Sequence, residues 1–168
     1  MGGYCDLFVE RLTSATRNGL LLAFAGAVLA CGSAERDDSG RLISSGNLDV
    51  ESMKVGDCFQ SLHEDILTLD DVPAVPCSEP HDNEVFHIFS IDGQVWPGDE
   101  EVEVKAFNTC IDAFEVYIEV AWPESQLEFT WFSPTQRAWE QLDYRDIVCF
   151  VFGPSGQRLV GSVKGTSQ

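Results

Sequence analysis

The sequence predicts an α+β fold: a single small domain with a mainly antiparallel sheet, one long helix packed on it, and two disulfides. Three observations lead to this prediction. Short runs of β-branched and aromatic residues alternate with turn residues, one longer segment repeats apolar residues at helical spacing, and four cysteines lie in the same stretch of chain. At 168 residues the chain has room for one domain and a tail.

Residues 1–30 are expected to be a signal peptide and to lie outside the fold. Arg11 and Arg17 precede an apolar run, LLLAFAGAVLA, at residues 20–30. Such a run fits a secretory signal and is shorter than the roughly 20 residues of a membrane-spanning helix. It ends in VLAC, which resembles the lipobox of bacterial lipoproteins, so Cys31 is the expected lipidation site. An ordinary secretory signal or a buried helix is the alternative.

Lipidation of Cys31 would anchor the protein to the cell membrane on its extracytoplasmic side, because two or three acyl chains hold stably in a bilayer. Residues 31–52 follow, rich in Ser, Gly and Asp and without a sustained helical or strand period. We expect them to form a lipid-anchored flexible linker. The folded domain is then expected over residues 53–165.

The first half of this domain is expected to contain three strands. Residues 54–60 are a short strand, and residues 70–77 become extended because Pro73 and Pro76 restrict the residues before them to extended geometry. Residues 84–91, EVFHIFSI, form a stronger strand with apolar residues on both faces, as expected for an interior position.

One long helix is predicted over residues 99–121. Acidic residues at 99–101 favour its N-terminus, and Pro123 closes it. Its apolar stripe follows the i, i+3, i+4, i+7 spacing of a buried helix face. The stripe consists of Phe107, Cys110, Ile111, Phe114, Tyr117, Ile118 and Ala121.

The second half adds three strands and a helical turn. Residues 127–132, LEFTWF, alternate as a strand does, and a short helical turn runs through Trp139. Residues 146–152, DIVCFVF, are apolar on both faces and are expected to be the central strand. Residues 158–163 are expected to form a last edge strand.

The remaining cysteines predict two disulfides. Cys58, Cys77, Cys110 and Cys149 are an even number in an exported chain, which allows three connectivities. The layout favours Cys110–Cys149, because one lies on the helix stripe and the other in the strand that the helix should cover. It also favours Cys58–Cys77, on neighbouring extended segments. Each bridge should contribute roughly 2–4 kcal/mol.

The segment VPCSEPHD places Cys77, His81 and Asp82 close together, as in a catalytic or metal site. An oxidised cysteine cannot act as a nucleophile, and no Gly-x-Ser-x-Gly elbow is present. The three histidines, which include His63 and His87, lack HExxH or paired CxxC spacing, and no calcium-loop motif occurs. We therefore expect no enzyme activity, no metal and no cofactor.

A structural turn explains this segment better. Pro80 fixes a turn after the disulfide, and Asp82 or Asn83 can accept a backbone N–H there. The His81 imidazole would bond a backbone carbonyl and lock the turn against the sheet, although His81 remains an alternative recognition residue. His87, on the strand face expected to carry Val85 and Phe89, is interpreted as a core histidine satisfied by a hydrogen bond.

The charge restricts the partners. The chain has 28 acidic and 10 basic residues, a formal net charge of −18. Such a surface repels nucleic acid and does not dock electrostatically on anionic lipid. It is compatible with a basic partner or a cation-rich environment, or it is simply a well-solvated surface.

A series of motifs spans residues 55–165. They are VGDCF at 55–59, VPCSEPHD at 75–82 with EV at 84–85, WPG at 96–98, Cys110 with Phe114 and Tyr117, Pro134 and Trp139, RDIVC at 145–149, and Leu159 with GSVKG at 161–165. In this order they resemble the septum-formation domain family of actinobacterial envelope proteins and lipoproteins. The chain departs from the family at Asp143-Tyr144, where Gly-Asp is common.

The resemblance implies a disulfide-stabilised extracytoplasmic domain with a link to cell-wall or septum formation and no chemical activity. Together with the signal, it predicts a non-catalytic lipid-anchored envelope protein that binds a protein or cell-wall partner. Pro80, His81, Asp82 and Trp139 are the candidate recognition or turn residues. One alternative is a wall-acting hydrolase that uses His81 and nearby carboxylates, and another is a cation-binding sensor domain.

Overall fold

The computed structural model describes residues 32–61 and 71–168, in which Ser33–Gln168 form one compact unit. The expected signal peptide, Cys31 and His63 lie outside the described residues. None of the helices within these two ranges has the length and apolar character needed to cross a bilayer.

The elements of the described residues are β1 Gly46–Asp49, β2 Cys58–Phe59, β3 Asp71–Val75, β4 Asn83–Ser90, α1 Asp99–Ile118, β5 Glu128–Phe132, α2 Gln136–Gln141 and β6 Asp146–Phe152. Their six strands form one antiparallel sheet in the order β1-β3-β2-β4-β6-β5. Short 3-10 turns lie at Val50–Ser52, Trp122–Glu124 and Pro154–Gly156. The predicted fold class is confirmed.

Alternate residues of β6 divide the core into two layers. Ile147, Cys149 and Val151 face the layer covered by α1, whereas Val148 and Phe150 face a second layer. This alternation follows from the two-residue period of a strand. Both faces of β6 are therefore buried, as predicted, although it lies next to the edge strand β5 and not at the centre of the sheet.

The second layer corrects the prediction of a flexible linker over residues 31–52. β1 pairs with β3, with Leu48 opposite Val72, and Leu42, Leu48 and Val50 are buried in this layer. These three apolar residues are too widely spaced to show a strand or helix period in the sequence. They nevertheless cover part of the second layer, while the residues between them remain at the surface.

An ion pair fastens the same segment to the sheet. Arg36 donates two hydrogen bonds of 2.6 Å to the carboxylate of Asp57, which is 3% exposed. Arg36 also donates to the carbonyl of Gly40, and Asp57 accepts from the backbone N–H of Lys54. The hydrogen bond to Asp57 raises the pKa of Arg36. Such paired, charge-assisted bonds are among the stronger polar interactions in proteins.

Helix α1 ends earlier than predicted. Glu119 adopts a left-handed conformation with φ 67°, and its N–H bonds the carbonyl of Glu115, so the helix stops before Pro123 is reached. Of the predicted stripe, Phe107 is 40% exposed and Ile111 is half-buried. The buried residues are Val102, Ala106, Cys110, Phe114, Tyr117 and Ile118.

A β-bulge in β4 corrects the predicted position of His87. Val85 pairs with Phe150 and His87 with Cys149, so Phe86 is an extra residue on β4. A bulge of this kind resets the strand's alternation. His87 therefore shares a face with Phe89, on which it stacks at 5.7 Å, and not with Val85. His87 is half-buried, and burial lowers its pKa.

Residues 158–163 do not form the expected edge strand. Leu159 makes a single bridge to His81, and the chain then turns through Gly161, which has φ 83°. The N–H of Gly161 donates to the carbonyl of Cys77. A left-handed glycine interrupts extended backbone, so the pairing does not continue.

Both predicted disulfides are confirmed. Cys110 and Cys149 join α1 to β6 with a Cα–Cα distance of 5.8 Å. Cys58 and Cys77 join β2 to the turn after β3 with a Cα–Cα distance of 5.2 Å.

Replacing Arg36 should destabilise the domain strongly. Arg36→Ala leaves the buried Asp57 carboxylate without its partner, which costs about 3 kcal/mol of unfolding free energy. Urea unfolding at neutral pH measures this. Arg41→Ala is the matched control, since Arg41 is mostly exposed and lies 3.9 Å from Asp37; it should cost less than about 1 kcal/mol. If both variants lost the same amount of unfolding free energy, the Arg36–Asp57 pair would not be the stabilising interaction.

Candidate functional site

A groove of about 890 Å³ is lined in part by Cys77, one end of the Cys58–Cys77 bridge. Its walls come from residues 37–43, 54–57, 76–79 and 161–164, with Tyr117 contributed by α1. The first of these segments belongs to the region expected to be a linker. One wall of the groove is therefore supplied by a segment that the sequence did not predict to fold onto the domain.

A buried carboxylate lies beneath the groove. Glu84 is fully buried and accepts hydrogen bonds from the Tyr117 hydroxyl at 2.8 Å, the Ser162 hydroxyl at 2.5 Å and the backbone N–H of Val163 at 2.8 Å. Three donors compensate the loss of water around the charge. Burial and the charge of Glu84 raise the pKa of Tyr117, so its hydroxyl remains a donor.

His81 is also fully buried, with its two ring nitrogens in different environments. Nδ1 lies 2.8 Å from the carbonyl of Glu79, which requires that Nδ1 carry the proton. Nε2 is buried and has no hydrogen-bond partner among the described residues. The His81 backbone pairs with Leu159 in both directions. The imidazole therefore bonds a backbone carbonyl, as expected, and its role in locking the turn stays a prediction.

Three side chains with metal-ligating atoms meet here. The sulfur of Cys58, a ring nitrogen of His81 and a carboxylate oxygen of Glu84 all lie within 4.8 Å of one another, and all three residues are buried. The Cys58 sulfur is bonded to Cys77. A disulfide sulfur is not a thiolate, so the set is incomplete as a ligand cluster in this oxidised state.

Pro80 and Asp82 lie on the outer side of the turn, in a polar cluster. Asp82 accepts from the N–H of Ser61 at 2.7 Å and pairs with Arg158 at 3.4 Å. The carbonyl of Pro80 accepts from Gln60 at 2.9 Å and from Arg158 at 2.5 Å. Of the two acceptors expected from the sequence, Asp82 does accept a backbone N–H, but the donor is Ser61, 21 residues away, and not a residue of the turn itself.

Trp139 belongs to a different part of the domain. It is 1% exposed, packs edge-on against Trp96 at 5.4 Å, and lies 4.0 Å beneath the guanidinium of Arg145. Arg145 also donates to the carboxylate of Asp143, whose φ of 56° is left-handed. This backbone conformation explains why glycine suits that position and why the aspartate can replace it.

A partly exposed group of aromatic rings was not anticipated. Phe107, Trp122, Phe129 and Trp131, here called the aromatic surface, lie between α1 and the edge strand β5. The ring of Phe107 lies 6.3 Å from Trp131 and 6.0 Å from Phe129. The sequence assigned Phe107 to the buried stripe. Its position at the margin of the stripe, next to polar Asn108, was the available signal.

Acidic side chains flank the aromatic surface. Glu128 accepts from the Trp122 indole N–H at 3.1 Å, and Glu103 accepts from the Ser133 hydroxyl at 3.1 Å. Within the described residues, neither carboxylate forms an ion pair. The surface is therefore apolar at its centre and negative at its margins.

Tyr117→Phe should lower stability and reduce its alkaline pH dependence. At neutral pH the lost hydrogen bond to a buried carboxylate costs about 1.5–3 kcal/mol. The folded chain keeps this phenol proton above pH 10, where an unfolded tyrosine loses it, so unfolding free energy falls as pH rises beyond about 10. Urea unfolding between pH 8 and pH 11 should give a shallower fall for the variant.

Tyr144→Phe is the matched control. Burial and the charge of Asp146 raise the pKa of Tyr144, but its buried hydroxyl has no hydrogen-bond partner among the described residues. This variant should also reduce the fall in unfolding free energy above about pH 10, while leaving the unfolding free energy at neutral pH almost unchanged. If Tyr117→Phe behaved in the same way, the bond to Glu84 would not contribute to stability.

Comparison with known proteins places the chain in a family. No curated protein and no solved structure matches it. A protein-family model described as septum formation matches residues 26–155. The match covers well over half of the chain and includes both disulfides, His81 and Glu84. The chain therefore belongs to the septum-formation family.

Proposed function

We propose that this chain is a non-catalytic, lipid-anchored envelope protein that binds a partner protein on the extracytoplasmic side of the cell membrane during septum formation. Family membership supports the role in septum formation. The two disulfides and the absence of free cysteines among the described residues are typical of exported proteins. The lipobox-like ending at Cys31 supports the anchor.

The aromatic surface is the observation that carries the proposal of a binding role. Exposed aromatic rings that cluster on a folded domain often mark a protein–protein interface. Phe107 is 40% exposed although it contacts three other rings, so a partner could bury it without rearranging the core. Large aromatic side chains are also the residues that most often dominate binding energy.

Charge and strand position indicate the chemistry of the partner. Glu103 and Glu128 flank the rings on a chain of net charge −18, which favours lysine and arginine on the opposing surface. Cationic side chains also bind well over tryptophan and phenylalanine rings. Because β5 is an edge strand, its outer backbone groups could pair with an extended segment. We infer a basic, extended segment of a partner protein.

The environment of His81 argues against the hydrolase alternative. The side chain is fully buried, and its Nδ1 proton is held by the Glu79 carbonyl. A general acid or base must come within hydrogen-bond reach of its substrate. A wall polymer could not approach this imidazole without unfolding the turn, which supports a non-catalytic role.

The aromatic surface can be tested in cells. Phe107→Ser combined with Trp131→Ser should reduce crosslinking to the partner at least tenfold, because truncating central interface aromatics commonly costs 2 kcal/mol or more. A photo-crosslinking amino acid at the exposed Asn108, beside Phe107, reports the contact and leaves both flanking carboxylates in place. Val116→Ser is the control, since Val116 is 81% exposed on the opposite side of α1.

Three results would contradict this proposal. An unchanged crosslink in the double variant would place the partner elsewhere. Competition by soluble wall fragments would identify a cell-wall partner instead of a protein. Calorimetric binding of calcium that abolishes or creates the crosslink would favour the cation-sensor alternative.

The anchor is tested separately. Cys31→Ser should abolish lipidation and leave the protein as an uncleaved precursor or in the aqueous fraction, because the acyl chains are lost. Metabolic labelling with a fatty acid followed by membrane fractionation measures this. Cys5→Ser, within the expected signal peptide, should leave labelling unchanged. Labelled protein in the Cys31 variant would disprove the assignment.

A further inference from the structure

We propose that the Cys58–Cys77 bridge is a reducible disulfide and that its reduction creates a zinc site. The ligands are the thiolates of Cys58 and Cys77, Nε2 of His81 and the carboxylate of Glu84. This site is independent of the aromatic surface and of the partner proposed above.

The two disulfides differ in their access to solvent. Cys110 and Cys149 are both fully buried between α1 and β6. Cys77 is half-buried and lines the groove, whereas Cys58 lies fully buried behind it. Thiol–disulfide exchange requires an attacking thiolate to reach one of the sulfurs. A reductant in the groove can therefore reach the sulfur of Cys77, whereas the buried Cys110–Cys149 disulfide should remain oxidised.

His81 has the tautomer that a metal ligand needs. Its Nδ1 proton is held by the carbonyl of Glu79 at 2.8 Å, so the free lone pair is on Nε2. Metal-binding histidines usually donate their other ring N–H in this way, which fixes the tautomer and the ring orientation. Nε2 is fully enclosed and has no partner among the described residues. A buried nitrogen acceptor without a hydrogen-bond donor costs folding free energy, and a metal ion bound to Nε2 would remove this cost.

Glu84 has remaining capacity for a metal. An ionised carboxylate offers about four lone-pair directions. The Tyr117 and Ser162 hydroxyls use Oε1, and the N–H of Val163 uses Oε2. One direction on Oε2 is therefore free. These three donors would act as the outer shell that orients a ligating carboxylate.

Three of the four proposed ligands already lie close together. The sulfur of Cys58, a ring nitrogen of His81 and a carboxylate oxygen of Glu84 lie within 4.8 Å of one another, and the sulfur of Cys77 is bonded to that of Cys58. In tetrahedral zinc sites the metal–ligand distances are about 2.0–2.3 Å, which places ligand atoms about 3.3–3.8 Å apart. The atoms of Cys58, His81 and Glu84 would shift by about 1 Å, and after reduction the two sulfurs, 2.00 Å apart in the disulfide, would separate to about 3.8 Å. Two thiolates with an imidazole and one carboxylate favour zinc over calcium or magnesium, which prefer oxygen ligands.

The chemistry balances with a dithiol as reductant. A dithiol thiolate attacks the Cys77 sulfur and releases the Cys58 thiolate, and the second dithiol sulfur then resolves the mixed disulfide. The two electrons come from the dithiol, which leaves as its cyclic disulfide, and the protein gains two thiols. Zinc binding then displaces the two thiol protons into solvent.

The full exported chain, reduced with dithiothreitol and separated from it anaerobically, provides the test. Alkylation and mass spectrometry should find Cys58 and Cys77 free while Cys110 and Cys149 remain bonded. The reduced protein should bind one zinc ion per chain, measured by competition with a chromophoric chelator. Cobalt should give a thiolate charge-transfer band, which the oxidised protein lacks.

Histidine variants assign the ligand. His81→Asn should weaken zinc binding at least tenfold in the reduced protein, whereas His87→Asn, on the far side of the β4 bulge, should leave it unchanged. If His81→Asn does not fold, the reduced wild-type protein still decides the question. Zinc should raise its melting temperature and leave that of the oxidised protein unchanged.

Three outcomes would overturn the proposal. The first is reduction of Cys110–Cys149 at the same dose of reductant as Cys58–Cys77. The second is a reduced wild-type protein that binds no zinc and gains no thermal stability from it. The third is a folded His81→Asn variant that binds zinc as tightly as the wild-type protein.

Discussion

The buried carboxylate of Glu84 is the constraint on which the domain's architecture depends. It lies in β4, opposite Cys58 of β2, and its oxygens accept from Tyr117 of α1 and from Ser162 and Val163 near the C-terminus. A buried charge is tolerated only where several donors surround it. Helix α1 and the C-terminal segment are therefore held in one arrangement relative to the sheet, and the same arrangement forms the floor of the groove.

The segment at residues 36–50 packs on the second core layer of the sheet, on the face opposite α1. The Arg36–Asp57 pair and the buried Leu48 attach residues expected to be a tether, and in doing so they form a wall of the groove. The two disulfides consequently have different surroundings. Cys110–Cys149 lies inside the layer between helix and sheet, whereas Cys77 lies at the solvent-lined groove. The position of each disulfide in the fold, and not its sequence context, makes Cys110–Cys149 inaccessible to solvent and Cys77 accessible.

Much of the fold could be predicted because it depends on local periodicity. The strand at Asp146–Phe152 and the start of α1 at Asp99 follow directly from apolar spacing and acidic residues at a helix N-terminus. The errors occurred where local pattern is weak. β1 has one buried residue in four, and residues 158–163 resemble a strand although Gly161 turns the chain. The bulge at Phe86 moves His87 to the other face of β4, and the apolar pattern of residues 84–91 does not reveal it.

The sequence by itself determined the α+β class, the long helix and the two disulfides, because apolar spacing and cysteine number can be read directly from the chain. Only the tertiary structure decided which polar groups are buried together. The partners of Glu84 lie 33, 78 and 79 residues away in the chain. The aromatic surface likewise joins α1 to β5 across a turn. Such groups meet because the sheet closes over the helix, and no local pattern encodes the distance between them.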